Sequence, residues 1–429
     1  MNRIFTLAAV AALLVGTVSC QNPGEIVPPD ELDIPEEQIP EENPEENPKT
    51  ELDLTTRSQE LVRQGNVFAF RFLSQINTSV KEDYVVSPLS MQFLLGMLLN
   101  GAQGTTADQI CQVLGYGAGE TEAVNEFALS MMKQLPAMDT KTLLNIANAI
   151  FVNQIYSIKD TYKTEVVKYF DAEVANKNFR DPATLDAINQ WASDHTNGLI
   201  PKVLDKIDPD GDLAILMNAL YFKGRWTAPF SKENTGKEPF YKENGKKADV
   251  DMMKKGTTSL AYRAGNGFRA VSLPYGNETF SMVVLLPDEG KTVADVIAAL
   301  GALEWTDFLH SMDWSTRVNL WLPKFKTKTK VSLNDILSDM GMARAFTSDA
   351  DFKALSDNAL RLTSVQQDAI IIVDEEGTEA AAVSVGTVGT TSVPPPPVDF
   401  HVDRPFLYLI TESGTGAILF AGRFGGTEL

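Results

Sequence analysis

The chain has 429 residues, of which 44% are hydrophobic, 9% aromatic and 22% charged, so it can bury a large core and is not disordered throughout. Its net charge is −20, and half of that charge comes from residues 1–53, which hold 12 acidic and 2 basic side chains. An acidic chain repels phosphate backbones, and no basic cluster is interleaved with aromatic residues, so the sequence predicts no nucleic-acid partner.

The first twenty residues have the pattern of an export signal. One basic residue, Arg3, precedes an apolar run over residues 4–15, and small residues then lead to Cys20. The stretch GTVSC resembles a bacterial lipoprotein cleavage box, which predicts a signal peptide over residues 1–19, lipidation of Cys20 and a place in the bacterial cell envelope, on the outer membrane or cell surface. Thr17 stands where leucine is more usual, so the alternative is ordinary cleavage that leaves Cys20 free and the protein secreted.

The next segment, residues 20–53, is rich in glutamate and proline. Its prolines are Pro23, Pro28, Pro29, Pro35, Pro40, Pro44 and Pro48. Such a segment cannot bury a core, so we predict an extended, lipid-anchored acidic spacer in front of a globular body. No later segment reaches about 18 uninterrupted apolar residues, and contact with a membrane is predicted only through the anchor.

From Leu54 onward the pattern changes to mixed helices and strands without long linkers or internal repeats. Helices are predicted at residues 57–76, 91–101, 122–135, 183–197 and 332–340. Strands are predicted at residues 145–153, 214–223, 280–286, 317–323, 370–373 and 406–411. Two strand segments, AILMNALYF and SMVVLL, are almost wholly apolar, which predicts central strands covered on both faces.

Motifs for catalysis and metal binding are missing from the sequence. The three histidines, His195, His310 and His401, lie far apart, and the chain has no HExxH pattern, GxSxG elbow or P-loop. We therefore predict no enzyme activity, no metal and no cofactor. His195 is interpreted as a residue at a helix C-terminus, and Cys111, in ADQICQVLG, as a buried core thiol outside any disulfide.

Four alternating lysines form the most basic stretch of the chain. They are Lys324, Lys326, Lys328 and Lys330. Their spacing favours the solvated face of a strand, and a patch for an anionic partner is the less favoured alternative.

Residues 378–393 have the composition of a segment that can become a β-strand. Glu379 is their only charged residue, they contain no proline, and most of their side chains are small or β-branched. With the two-residue period of a strand, Glu379 would point to one face and the other face would carry Thr378, Ala380, Ala382, Ser384, Gly386, Val388 and Thr390. The prolines at 394–397 then favour a stiff extended stem. The alternative is a short helix at EGTEAAA followed by a flexible surface loop.

This segment lies within VDEEGTEAAAVSVGTVGTTSVPPPPVDFHVDRPFLYLI, residues 373–410, which resembles the hinge and reactive-centre loop of serpins. Other serpin-like pieces occur in the expected order, among them VVSPLSMQFLLGMLLNGAQGTTADQI, INQWASDHTNGLIPKVL, LMNALYFKGRW and DRPFLYLITESGTGAILFAGRF. The resemblance covers residues 54–429 and implies the α+β serpin fold, with three β-sheets, surrounding helices and an exposed reactive-centre loop. The hinge that it implies comprises Glu375, Gly377, Thr378, Glu379, Ala380, Ala381 and Ala382.

The resemblance implies a suicide-type inhibitor of serine proteases, with cysteine proteases as a further target class. A target protease cuts the loop and becomes acylated, and it is trapped when the freed loop inserts as a strand into the main sheet. The alternative is a non-inhibitory serpin that acts as a binding or chaperone-like protein. We expect a monomer whose uncharged loop carries a hazard of polymerisation.

The expected scissile bond joins Thr391 to Ser392, as counted from the hinge residue Glu375. Counting back from VDRPF places it nearer Pro394. The alternative cleavage positions are Val388, Thr390 and Val393. No candidate is Arg or Lys, which disfavours trypsin-like proteases because their acidic pocket needs a cation, so we predict elastase-like or papain-like targets.

Two further regions follow from the resemblance. Ser87, Ser90 and Asn218 match the shutter, which lies beneath the sheet that opens, and Trp226 matches the breach, where insertion begins. Gln367 stands where many serpins have a shutter histidine, so the hydrogen bonds that hold the sheet closed are expected to differ here and to be insensitive to pH.

Overall fold

The structure is a computed structural model that describes residues 47–377 and 395–426, all within one compact unit. Several predicted features lie outside the described residues. They are the signal peptide, Cys20, the spacer up to residue 46, the hinge residues Thr378, Glu379, Ala380, Ala381 and Ala382, the expected scissile bond Thr391 to Ser392, and the alternative positions Val388, Thr390 and Val393. No helix within the described ranges is long and apolar enough to cross a membrane.

In the described part, α-helices and strands alternate irregularly along the chain. The helices are α1 (Thr56–Ser79), α2 (Pro88–Gly101), α3 (Gly104–Leu114), α4 (Thr121–Gln134), α5 (Asp160–Phe170), α6 (Pro182–His195), α7 (Val293–Leu300), α8 (Trp305–His310) and α9 (Asn334–Leu337). Ser87 caps α2: its Oγ accepts a hydrogen bond from the Ser90 N–H at 3.1 Å, and Pro88 follows at the first helical position.

The strands are β1 (Tyr84–Val86), β2 (Thr142–Asn153), β3 (Ala172–Lys177), β4 (Ala214–Gly224), β5 (Gly236–Tyr241), β6 (Lys247–Ser259), β7 (Ala261–Gly265), β8 (Phe268–Tyr275), β9 (Phe280–Pro287), β10 (Arg317–Pro323), β11 (Phe325–Ser332), β12 (Gln366–Val373), β13 (Val398–His401), β14 (Phe406–Glu412) and β15 (Ile418–Phe424). A six-stranded sheet has the order β1-β15-β14-β9-β8-β7, and a four-stranded sheet has the order β13-β10-β6-β5. The remaining strands form a three-stranded sheet, β3-β2-β4, and a two-stranded sheet, β11-β12.

The mixture of helices and sheets confirms the predicted α+β class, although the described residues form four hydrogen-bonded sheets where three were expected. The difference arises because β4 and β12 are not paired with each other. The apolar segment SMVVLL is buried along all of β9, as predicted. The other apolar segment, in β4, is only half-buried over residues 214–218, because this strand borders a cleft.

The observed boundaries agree closely with the predicted ones where the periodic pattern of apolar residues runs through the whole element, as in α1 and β10. The predicted helix at residues 332–340 is wrong at its start, since Ser332 ends β11 and α9 begins at Asn334. The lysine row lies as predicted: Lys326, Lys328 and Lys330 are exposed on β11, while alternate residues are buried. Cys111 is buried in α3, as predicted.

Residues 47–54, here called the strap, lie against the body although residues 47–53 were assigned to the spacer. Leu52 and Leu54 are buried. The Asp53 N–H donates to Gln134 Oε1 at 2.8 Å, and Gln134 Nε2 donates back to the Asp53 carbonyl at 2.9 Å. The packed part of the chain therefore includes residues that proline-rich composition alone would leave in solution.

Candidate functional site

A cleft of about 560 Å³ separates β4 from β12. It is bordered by residues 214–220 of β4 on one side and by residues 366–368 of β12 on the other, and α2 contributes Ser90, Met91, Leu94 and Leu98. The two strands belong to different sheets, so the backbone ladder is interrupted at this place. The cleft has the position that an additional strand between β4 and β12 would take.

The chain leaves β12 through a two-residue turn that leads back toward this cleft. Asp374 and Gly377 flank the turn and exchange both backbone hydrogen bonds, at 3.0 and 3.3 Å. Gly377 also pairs with Arg225, which directly follows β4. The turn at residues 374–377 therefore contacts the ends of both strands that border the cleft.

Only glycine fits at position 377. Its φ of +119° is rarely adopted by residues with a side chain. A Cβ there would lie 2.4 Å from the Gly224 carbonyl oxygen and 2.5 Å from the Trp226 nitrogen. The backbone at Gly377 thus lies directly against the backbone that follows β4.

The turn is acidic, and two lysines hold it. Glu375 is buried, and its Oε2 lies 3.1 Å from the Lys324 Nζ, while Glu376 forms an ion pair with Lys232. Burial raises the pKa of Asp374 above its usual value. Burial also acts to raise the pKa of Glu375, but the hydrogen bonds and the Lys324 charge outweigh it and hold that pKa below its ordinary value.

We expect Lys324→Met to lower the free energy of unfolding by about 2 kcal/mol, because it leaves the buried Glu375 carboxylate without its cation. The partly exposed lysine end moderates the loss. Lys326→Met is the matched control, since Lys326 lies two residues along the same stretch and is exposed. Urea unfolding of both variants measures the difference, and equal midpoints would show that the pair adds nothing to stability.

The shutter residues meet at the N-terminus of α2. Ser87 Oγ donates to the Leu419 carbonyl at 2.7 Å, and the Ser90 hydroxyl donates to Asn218 Oδ1. Asn218 Nδ2 donates to Asn148 Oδ1 at 2.7 Å. These bonds connect the start of α2 to β4 on one side of the cleft.

Gln367 makes the corresponding connection to β12. Its Oε1 accepts from the Ser87 N–H at 3.0 Å, and its Nε2 donates to the Ser87 carbonyl at 2.9 Å. The side chain is buried, and its amide uses one donor and one acceptor toward a single residue. The amide carries no charge at any pH at which the protein is folded.

A Gln367→His variant is expected to make stability depend on pH. A neutral imidazole can accept from the Ser87 N–H, but an imidazolium cannot, so the histidine pKa should fall below about 6.5 in the folded state. Its stabilising contribution is then complete above about pH 6.5 and is lost as the pH falls through the folded pKa. Melting temperatures of variant and wild type, compared from about pH 8 to about pH 5, test this; a constant difference over that range would contradict it.

Trp226, which the resemblance assigns to the breach, lies against the hinge turn. Its Nε1 donates to the Asp374 carbonyl at 3.0 Å, and its backbone N–H donates to the Glu376 carbonyl at 3.1 Å. The indole stacks on Tyr275, with ring centroids 4.4 Å apart and planes 11° apart. Trp226 therefore holds the hinge turn against the end of β8.

Sequence reasoning found Ser87, Ser90, Asn218 and Trp226, and the structure brings the first three together and places the fourth at the hinge turn. It missed the two lysines that hold the turn and Asn148, which extends the shutter. The three histidines remain apart, at the ends of α6, α8 and β13. In the part of the chain that the structure describes, no group of His, Cys, Asp or Glu could hold a metal ion.

Residues 63–425 match the family model described as Serpin (serine protease inhibitor). An uncharacterized serpin-like protein of Methanosarcina mazei is 33% identical over 86% of this chain and 88% of its own length. Human glia-derived nexin is 34% identical over 80% of this chain and 87% of its own. The crystal structure of tengpin, a thermophilic serpin in its native state, superposes with a TM-score of 0.77 at 30% identity, covering 89% of this chain and 97% of tengpin. The order of the sheets and the hinge turn at the edge of the cleft are consistent with these similarities. The chain belongs to the serpin family.

Proposed function

We propose that this protein is a suicide-type inhibitor of serine proteases, and of cysteine proteases as a further class, which traps its target by inserting the cleaved loop between β4 and β12. One observation carries the proposal: beyond β12 the chain already turns back and pairs at Gly377 with the residue after β4. A strand that continued from Gly377 would enter the cleft with neighbours on both sides.

The pairing at Gly377 fixes the register of such a strand. If this strand continued antiparallel to both neighbours, position 378 would lie level with Val373 and Gly224, and position 384 would lie level with Gln367 and Asn218. Even-numbered positions then fall beside residues that face the main core, which are Val373, Ile371 and Ala369 of β12 and Phe222, Leu220 and Leu216 of β4. These even positions carry the small residues that strand alternation turned to one face, and Ser384 would meet the two polar shutter side chains.

The chemistry of trapping uses the protease's own catalytic group. Its nucleophile attacks the carbonyl carbon of Thr391, the peptide bond breaks, and the amine of Ser392 leaves, so that the protease is bound as an acyl-enzyme. Insertion of the residues before Thr391 then carries the acylated protease away and distorts it before water can release it. The protein acts as an inhibitor and not as a catalyst, because one molecule is consumed in each event.

The same proposal includes targets and location. The small residues around position 391 suit elastase-like or papain-like pockets. The signal-like start and Cys20 support a lipoprotein of a bacterial cell envelope that reaches its targets as a monomer on an acidic spacer.

Incubation with elastase and with papain tests the function. We expect a covalent complex that survives denaturing electrophoresis, and mass spectrometry of the released peptide should show cleavage after Thr391. Cleavage by both proteases without a complex, together with no gain in heat stability of the cleaved protein, would overturn the proposal and favour a non-inhibitory serpin.

A further inference from the structure

We propose that the strap positions the breach, so that the segment leading from the predicted anchor sets how readily the loop inserts. This rests on the proposed function for its consequence, but its structural part stands on contacts among residues 47–50, the β8–β9 turn (residues 276–279) and Trp226. Those contacts form one continuous path from the N-terminal side of the body to the hinge.

The path begins with Asn47, a buried polar residue at the start of the strap. Its Nδ2 donates to Asp139 Oδ1 at 2.8 Å, and its Oδ1 accepts from the Thr140 N–H at 3.1 Å. The strap also donates through the Thr50 hydroxyl to the Met138 carbonyl at 3.1 Å. An asparagine whose amide is satisfied at both ends by one loop is fixed in position rather than merely resting on a surface.

The β8–β9 turn receives the strap through Asn277. Its Nδ2 donates to the Met138 carbonyl at 2.8 Å and to the Pro48 carbonyl at 3.1 Å, and it lies 3.3 Å from Asn47 Oδ1. Its Oδ1 accepts from the Thr279 N–H at 3.0 Å, which keeps the amide in this orientation. Gly276, in the same turn, packs directly against Asp139: a Cβ on Gly276 would lie 1.9 Å from Asp139 Oδ2.

The β8–β9 turn supports the breach. The Gly276 N–H donates to the Arg225 carbonyl at 2.7 Å, and the Thr227 hydroxyl donates to the Gly276 carbonyl at 3.0 Å. Tyr275, which precedes the turn, stacks on Trp226, whose two N–H groups hold the hinge turn. Asn47 is therefore connected to Gly377 by four successive contacts, which join Asn47 to Asp139, Asp139 to Gly276, Gly276 to Arg225, and Arg225 to Gly377.

This arrangement has a mechanical consequence. Insertion keeps the pairing of Gly377 with Arg225, but residues 225–227 must move with the end of β4 as the cleft widens. The strap supports the β8–β9 turn that these residues contact, and so it resists that movement. With the strap in place the breach opens rarely, and with the strap withdrawn it opens more often. Asn47 and Asn277 are thus positioning residues for loop insertion.

Hydrogen exchange of the native full-length protein tests the proposal directly. We expect Asn47→Ala and Asn277→Ala each to speed exchange in peptides covering residues 225–230 by about fivefold, the effect of losing one hydrogen bond of the path. Gln134→Ala is the matched control: it removes two strap hydrogen bonds at Asp53, away from the β8–β9 turn, and should leave residues 225–230 at the wild-type rate.

Two outcomes would overturn the proposal. One is wild-type exchange at residues 225–230 in Asn47→Ala while the strap peptides themselves exchange faster. The other is equal acceleration in Gln134→Ala, which would indicate general loosening. Because exchange needs no protease, cleavage by both proteases without a complex and without a gain in heat stability would overturn the proposed function and leave this coupling standing. If trapping is observed, both asparagine variants should also lose trapping capacity faster than the control during storage at 37 °C.

Discussion

Thr378→Arg is expected to abolish trapping and to turn the protein into a substrate that its target protease cuts and releases. In the proposed inserted strand, with its register continued from Gly377, position 378 would lie between Val373 and Gly224, on the face that packs into the main core. An arginine there would have to bury its charge without a partner, which costs several kcal/mol. Insertion then stalls at its first residue, and water releases the acylated protease.

Glu379→Arg is the matched control, because it adds the same side chain one position later, where strand alternation turns it away from the core. It should still form a covalent complex on a denaturing gel, whereas Thr378→Arg should show only cleaved inhibitor. Equal trapping by both variants would mean that the loop does not insert in this register.

Cleavage of the loop is expected to raise the melting temperature by about 20 °C. A strand of about ten residues with a neighbour on each side would add about twenty backbone hydrogen bonds at about 1 kcal/mol each. Each kcal/mol raises the midpoint by about 1 °C in a domain of this size, because its unfolding entropy is about 0.8 kcal/mol/K. The apolar side chains that line the cleft would be covered at the same time.

Scanning calorimetry of intact and cleaved protein measures this shift. Cleaved Thr378→Arg is the control, and it should melt close to the intact protein because its loop cannot enter. A wild-type protein that melts at the same temperature before and after cleavage would contradict loop insertion, whatever complexes are seen on gels.

The sequence predicts much of this site because its parts carry local signals. Continuous apolar runs predict buried central strands, and the serine and proline at the start of α2 mark a helix cap. Trp226 and the hinge were predicted through resemblance to a family in which they occur in the same order.

Other contacts were not predictable from local patterns, since they depend on which distant elements meet. Lys324 appeared as one member of a solvated row, yet it pairs with Glu375, 51 residues away. The strap has the composition of a spacer, but Asn47 finds its partner at Asp139, 92 residues away, and composition does not encode that contact. The half-exposure of β4 follows from a missing neighbour strand, which the apolar character of the segment cannot reveal.

If the cleaved loop inserts as proposed, the hairpin that carries Gly377 determines how insertion starts. A new strand ordinarily begins by closing a loop, and that entropic cost precedes any favourable contact. Here the reciprocal bonds between Asp374 and Gly377 already close the loop, so a nucleus exists before the protease arrives. In the proposed mechanism, cleavage would only free the far end, and the strand would then lengthen residue by residue from this nucleus. Free hairpins form in about 1–10 μs, whereas typical enzyme turnover takes about 1 ms to 1 s. With a preformed nucleus, strand growth could therefore be slowed about a hundredfold or more by the attached protease and still be complete within one enzyme turnover.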